Sequence, residues 1–437
     1  MKKLILFLFM LIIMPVQSAQ IANVDYIHTA IADKWDITIP YNREITNVGV
    51  AANMKYLLTA VDVANEILNG KKTTDYGNGE FATMVAADTV ATDTAVETLI
   101  QKNADTGYKF TATIDLSLYS DNGAGSFGWP VTEFGFDLGA AGTFYVDWGD
   151  GTTETIKKDN TDAVTYTHDY GMTSGTYTVK IGGMATDYSD DEYTPAISFD
   201  VDVSAASVYS EAITEISGSL GAIFPTLSDG SQPRFVYLFY IPSITEIPSG
   251  LFDGIHGAPV SHMFDSAFYG SRNLTSIPEN LFSGIVGSAP YMFNYTFSEC
   301  SGLTKIPENL FSGIVGGAPY MFASTFMWCS NLTSIPENLF AGITGAAEGM
   351  FQYTFSYCDG LTKIPENLFS GVTYLAEHVF QSTFSYCYSL TGPSARINGK
   401  YLYEIWPDAT YEQVGAMYHE ATGLDDYGYI PDAWKEW

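Results

Sequence analysis

Positive charge is scarce in this chain. Its 437 residues hold 19 Lys and Arg against 50 Asp and Glu, a formal net charge of −31. Nucleic acid and anionic membrane surfaces call for basic patches, so the balance argues against both as main partners. Charge of either sign is thin, at 16% against an average of about 25%. Disorder does not follow, because 46% of the residues are hydrophobic and supply ample core. Beyond the N-terminus no stretch reaches about 18 apolar residues, the length needed to span a bilayer. There are six His (28, 168, 256, 262, 378 and 419), none in an HExxH pair and none with a metal partner four residues on. The chain also lacks a Gly-x-Ser-x-Gly elbow, a Walker loop and a dinucleotide fingerprint. No enzyme, metal or cofactor chemistry is expected.

What is present begins with an export pattern. Lys2 and Lys3 precede an apolar run over 4–15, too short to span, and 16–19 offers small residues for cleavage after Ser18 or Ala19. No Cys follows the run, which argues against a lipid anchor there. The expectation is a signal peptide at 1–18 and an exported chain, secreted or at a bacterial cell surface, with no membrane insertion of its mature part.

Internal repetition is the strongest signal. Ile277-Pro278-Glu279-Asn280-Leu281-Phe282 recurs from Ile306, Ile335 and Ile364, at a period of 29. A degenerate copy starts at Ile247, and an earlier trace is Ile213-Thr214-Glu215-Ile216. One unit carries Met292, Phe293, Thr296, Phe297, Cys300, Leu303, Ile306, Leu310, Phe311 and Ile314. Leu303 and Ile306 bracket a short extended segment that Pro307 ends, since Pro cannot donate to a ladder. Glu308 to Phe311 suits a turn or short helical piece, and Gly313 breaks it. A single unit cannot bury its apolar face, whereas stacked units can. The four Cys (300, 329, 358 and 387) share this period. They read as one buried column of reduced thiols spaced by about 5 Å, not as disulfides or a metal site.

Thr296-Phe297, Cys300, Leu303 and Ile306, with their equivalents, resemble the Ala-Phe-x-x-Cys-x-x-Leu-x-x-Ile pattern of the BspA-like leucine-rich-repeat surface proteins. The resemblance covers roughly 210–395, with a unit lengthened by the insert at 286–291. It implies a leucine-rich-repeat solenoid on an exported protein that binds host or matrix proteins, cells or glycans, and it does not imply an enzyme.

Upstream, Trp148-Gly149-Asp150-Gly151, His168-Asp169-Tyr170 and Gly175-Thr176-Tyr177-Thr178-Val179 resemble a PKD domain, which implies an immunoglobulin-like β-sandwich. Residues 142–148 read as a strand into a tight turn. Residues 165–168 and 176–181 read as a second strand pair. Trp148 and Tyr177 read as core, and His168 as a strand residue with a satisfied ring. Asp147 and Asp150 suit turn formation, with calcium binding as the alternative. Val50, Met54, Leu57, Leu58, Val61 and Ile67 form a helical stripe. The tail offers a helix over 408–420 and a ring-rich cap for the last repeat, with aromatic ligand recognition as the alternative.

The organisation expected is therefore multidomain and mostly β. A signal peptide (1–18), a small helical module (19–108), a PKD-like sandwich (109–205), the repeat solenoid (206–395) and an aromatic cap (396–437) follow in order.

The repeat carboxylates Glu279, Glu308, Glu337 and Glu366 invite comparison with a glycosidase pair. Equal positions give equal environments, however, and paired acids need unlike ones. Binding is the better reading. The position before each Cys holds Glu299, Trp328, Tyr357 and Tyr386, and a nearby column holds Tyr295 and Tyr353. If exposed, the three successive rings at 328, 357 and 386 form a ladder of the kind that holds sugars or apolar side chains. Otherwise they cover a flank or pack under the tail. These six residues are the candidate ligand site for an extracellular protein or glycan. The rival function is a structural or assembly component of a bacterial surface layer or filament.

Overall fold

The computed structural model describes residues 108–120, 132–171, 175–200, 202–204, 207–240 and 242–436. The expected signal peptide, the expected helical stripe and Trp437 lie outside the described residues. The described part is mostly β, with few and short helices, and 107–437 forms one compact unit.

Ten strands come first: β1 (Tyr108–Asp115), β2 (Glu133–Leu138), β3 (Ala141–Asp147), β4 (Thr153–Lys158), β5 (Val164–Asp169), β6 (Thr176–Asp187), β7 (Ile197–Ser198), β8 (Asp202–Ser204), β9 (Ser207–Val208) and β10 (Ile213–Gly218). One antiparallel sheet has the order β10-β1-β6-β3-β4 and another β5-β2-β7, while β8 and β9 form a small pair of their own. Apolar alternation sends Phe110, Ala112 and Ile114 of β1, Phe144 and Val146 of β3, and Phe134 and Phe136 of β2 into a shared core. Residues 165–168 and 176–181 are strands, as their alternation implies, but they do not pair with each other. β5 joins β2, and β6 runs between β1 and β3. Alternation sets the buried face of a strand but not its neighbour, and here β5 and β6 belong to different sheets.

From Ile213 the chain forms stacked coils, one per repeat. The first coil shares β10 with the five-stranded sheet and is complete through Phe235 and Phe239. The organising element is a ribbon of overlapping turns, seen at 291–300. Tyr291, Phe293, Tyr295, Phe297 and Glu299 donate their amides to Pro319, Met321, Ala323, Thr325 and Met327 of the next coil, at 2.7–3.0 Å. The intervening Asn294, Thr296, Ser298 and Cys300 donate three residues back within their own coil. Every fourth residue is left-handed to make this possible, with φ of 55° at Tyr291, 51° at Tyr295 and 59° at Glu299. The same three places are left-handed in the coils of Trp328, Tyr357 and Tyr386.

This alternation explains the spacing Met-Phe-x-x-Thr-Phe-x-x-Cys. Met292, Phe293, Thr296, Phe297 and Cys300 are buried, while Asn294, Tyr295 and Glu299 are partly exposed. Stacking coils therefore stacks rings. Phe235, Phe264, Phe293, Phe322, Phe351 and Phe380 form one column with centroids 5.7–6.1 Å apart. Phe199, Phe239, Phe268, Phe297, Phe326, Phe355 and Phe384 form a second, at 5.3–5.9 Å. Phe252, Phe282, Phe311, Phe340 and Phe369 form a third, at 5.8–6.3 Å. Phe199 follows β7, so the second column begins in the core beneath the sheets.

The Thr and Cys members of the core are satisfied coil to coil. Thr296, Thr325, Thr354 and Thr383 donate their hydroxyls to Phe carbonyls of the preceding coil at 2.7–2.9 Å. The four Cys thiols make the equivalent bond at 3.0–3.3 Å. All four are free and buried. Burial pushes each thiol upward, that of Cys387 to about 12. Gly284, Gly313, Gly342 and Gly371 allow the coils to close up, because a Cβ at any of them would lie within 2.2 Å of an Ile carbonyl oxygen in the preceding coil.

The tail completes the last coil. Phe380, Ser382, Phe384 and Tyr386 donate to Gln413, Gly415, Met417 and His419, and Tyr418 and then Trp434 extend the second ring column. The helix read over 408–420 is one turn only, α2 (Tyr411–Val414), following a similarly short α1 (Leu402–Ile405). The cause is Ala416, whose left-handed φ of 55° puts 415–420 into the ribbon instead of a helix. Among the described residues no helix is long and apolar enough to cross a membrane.

Two outcomes follow. Phe297→Ala, in the middle of its column, should lower unfolding free energy by about 3–5 kcal/mol in denaturant titration. The native chain should show no thiol reactive to a disulfide reagent at neutral pH, and all four should react after denaturation.

Candidate functional site

The ribbon sets the outward columns as firmly as the inward ones. Glu299, Trp328, Tyr357 and Tyr386 occupy one register position, since their amides donate to Met327, Ser356, Ser385 and His419 in turn. The structure brings the three rings together. Trp328 stacks on Tyr357 at 3.8 Å with planes 6° apart, and Tyr357 on Tyr386 at 4.3 Å and 12°. Both separations are shorter than the usual strand spacing of about 4.8 Å, so the rings lean together. Trp328 is 44% exposed. Burial and a hydrogen bond with Tyr386 push the Tyr357 hydroxyl upward.

Face-to-face stacking decides what this column can offer. Tyr357 is covered on both faces. Tyr386 is covered by Tyr357 on one side and meets His419 edge-on at 5.1 Å. Trp328 stacks on one side only, and its other face looks back toward the coil of Glu299. The column therefore presents ring edges, hydroxyls and one indole face.

Glu299 is held in place. The Tyr269 hydroxyl donates to one carboxylate oxygen at 2.5 Å, and Arg272 Nη2 lies 2.6 Å from the other. Burial alone would raise this carboxyl, but the Tyr269 and Arg272 hydrogen bonds outweigh it and hold Glu299 below its ordinary value. Tyr295 meets Tyr269 edge-on at 6.2 Å. Tyr295 and Tyr353 are half-buried and share a register position, but Ser324 stands in the coil between them, so they are not stacked.

A second ring column, exposed at Tyr193, half-buried at Tyr291 and Tyr320 and buried at His262, escaped the sequence reading. Tyr193, His262, Tyr291 and Tyr320 follow one another at 4.8, 4.6 and 4.9 Å. Its signal was available, because 262, 291 and 320 stand at a fixed offset of eight residues before 270, 299 and 328. The Tyr320 ring lies over Gly349, where a Cβ would come within 2.2 Å of it. At the sheet end, His262 Nδ1 lies 2.7 Å from buried Asp265, which also accepts from Ser266 and Asn294.

The other sequence candidates have structural partners. Asp147 accepts from the Gly149 amide and pairs with Lys180 at 3.0 Å. Asp150 accepts from Thr152 and lies 2.8 Å from His168. Against burial, which raises it, the Thr152 and His168 hydrogen bonds lower Asp150 to about 2. The His168 ring stacks on buried Trp148 at 5.2 Å. Tyr177 is half-buried against Tyr170 at 4.2 Å. Among the described residues no group of three or more His, Cys, Asp or Glu is placed to hold a metal ion. Glu279, Glu308 and Glu337 line a groove of about 640 Å³ with Lys305, and all three are exposed at equivalent places. Glu366 binds Arg396 and the Gly399 amide instead.

Glu299 gives a pH test. Its lowered folded value means its ionised form stabilises the fold above the ordinary carboxyl value of about 4.3. That contribution fades as pH falls through the lowered value. Glu299→Gln should therefore be less stable than the parent at neutral pH, with the difference shrinking toward zero in acid, as read from melting temperatures across pH.

No family model, curated protein or solved structure matches the chain.

Proposed function

We propose that the chain is an exported, non-catalytic recognition protein of a bacterial surface, binding an extracellular glycan or protein through the outward ring columns of its stacked coils. In this reading the coils are a leucine-rich-repeat solenoid of the BspA-like kind. The two sheets before them are an immunoglobulin-like, PKD-like sandwich that anchors one end. The coil-to-coil ladder and the Phe shared between sheets and coils support that assignment. The N-terminal charge and apolar pattern supports export.

One observation carries the functional reading: large rings stand at left-handed backbone positions on the outside of a rigid ladder. A non-glycine residue there costs about 1 kcal/mol or more, and strain of this kind concentrates where binding or switching is needed. Trp328 and Tyr237, both left-handed, each keep 44% of their surface exposed.

The test is a screen of the purified mature chain on glycan and extracellular-matrix arrays, beside a Trp328→Ala/Tyr357→Ala/Tyr386→Ala variant of unchanged circular dichroism. The reading expects binding by the parent and its loss in the variant. Binding that survives in the variant moves the function off this column. Absence of binding, with concentration-dependent growth of large particles, favours the surface-layer or filament role.

A further inference from the structure

We infer that the free face of Trp328 is a subsite for a single neutral pyranose ring, rimmed by the Glu299–Arg272 pair. This rests on the recognition reading above and narrows it to one ring and one ligand class.

Trp328 begins the run of three rings: it stacks on Tyr357 at 3.8 Å and keeps 44% of its surface exposed, whereas Tyr386 at the other end meets His419 edge-on. The three rings close up on one another, which draws Trp328 away from the coil of Glu299. An indole face left open in this way accepts the C–H face of a sugar, which is flat and apolar.

The rim decides the class. Glu299 sits one coil back from Trp328 and Arg272 two coils back, reaching forward to pair with Glu299 at 2.6 Å, with side chains 27% and 62% exposed respectively. Their charges cancel, so the site offers no net attraction to a cation, despite the overall −31. Anionic ligands meet the general acidity of the chain. An apolar side chain from a protein partner would desolvate the pair and return no hydrogen bonds, which is costly. Sugar hydroxyls suit both members. They donate to the carboxylate lone pairs that Tyr269 and Arg272 leave open, and accept from the remaining guanidinium N–H groups, of which Arg has five. The carboxylate is already fixed by two donors, so little ordering remains to oppose binding.

The experiment is calorimetric titration of the full chain with neutral gluco-, galacto- and N-acetylhexosamine oligosaccharides, and with uronate oligosaccharides of equal length. It is run on the parent and on Trp328→Ala, Glu299→Gln, Arg272→Gln and Tyr386→Ala, each checked for an unchanged fold. The expected result is binding of a neutral series, weaker binding of uronates, and a loss of about tenfold or more for Trp328→Ala. Glu299→Gln and Arg272→Gln should each weaken binding. Tyr386→Ala, which leaves the Trp328 face and its rim in place, should weaken it less than about threefold by the same arithmetic. Equal losses from Trp328→Ala and Tyr386→Ala would overturn the open-face subsite while leaving recognition by the column standing. Binding of matrix proteins with no saccharide binding would overturn the ligand class alone. Saccharide binding untouched by all four substitutions would overturn both the subsite and the column reading.

Discussion

The rest of the structure depends on one hydrogen-bond alternation. In the ribbon, one amide reaches forward to the next coil and the following amide reaches back three residues in its own coil. Neither set suffices alone. The forward bonds stack the coils, and the backward bonds keep each coil turning within a short length of chain. The combination demands a left-handed residue at every fourth position, and it sends side chains inward and outward two at a time. Phe columns inside and ring columns outside are two consequences of this backbone.

Inside, the result is a core assembled by translation. Each coil adds Phe side chains to existing columns, and burying one contributes about 1.5–3 kcal/mol. Thr hydroxyls and Cys thiols at fixed places find their acceptors in Phe carbonyls that already take a backward amide, so each such carbonyl uses both lone pairs. Cysteine here is a small, weakly donating core residue, and its recurrence at every coil has a packing reason, not a redox one. The ends are closed by unlike means. Phe199 and β10 tie the first coil to the sheets, and Tyr418 and Trp434 finish the column at the other end.

Much of this was legible in the sequence, and the limits are instructive. The period of 29 and the buried positions could be read because the Phe, Thr and Cys of Phe293, Thr296, Phe297 and Cys300 recur in four successive coils, with Met292 replaced only by Val379 in the last. The left-handed positions could not. Tyr, Trp, Ser, Glu and His occupy most of them, with glycine, the usual sign, at Gly270 and Gly349. Strand pairing around 165–181 was misread because alternation carries no information about neighbours. The tail helix shortened to one turn for the same reason the ribbon was missed, since Ala416 gives no warning of its φ. For the candidate site, the column of Trp328, Tyr357 and Tyr386 was visible as spacing, but its ring faces were not. Stacking hides most of the surface a ladder would offer and leaves a single indole face. The column of His262, Tyr291 and Tyr320 was present in the same spacing, but no fixed Cys stands beside it to draw attention.

The central claim is a division of labour: the ladder and inward Phe columns hold the fold, and the outward rings are not needed for it. Amide hydrogen exchange tests it most directly, comparing the parent with the variant lacking the rings of Trp328, Tyr357 and Tyr386. The account predicts that the forward-bonded amides of Phe293, Phe297, Phe322, Phe326, Phe351 and Phe355 exchange slowest in both, with the same protection. Protection that collapses in the variant would contradict it, and would make the outward rings part of what holds the coils together.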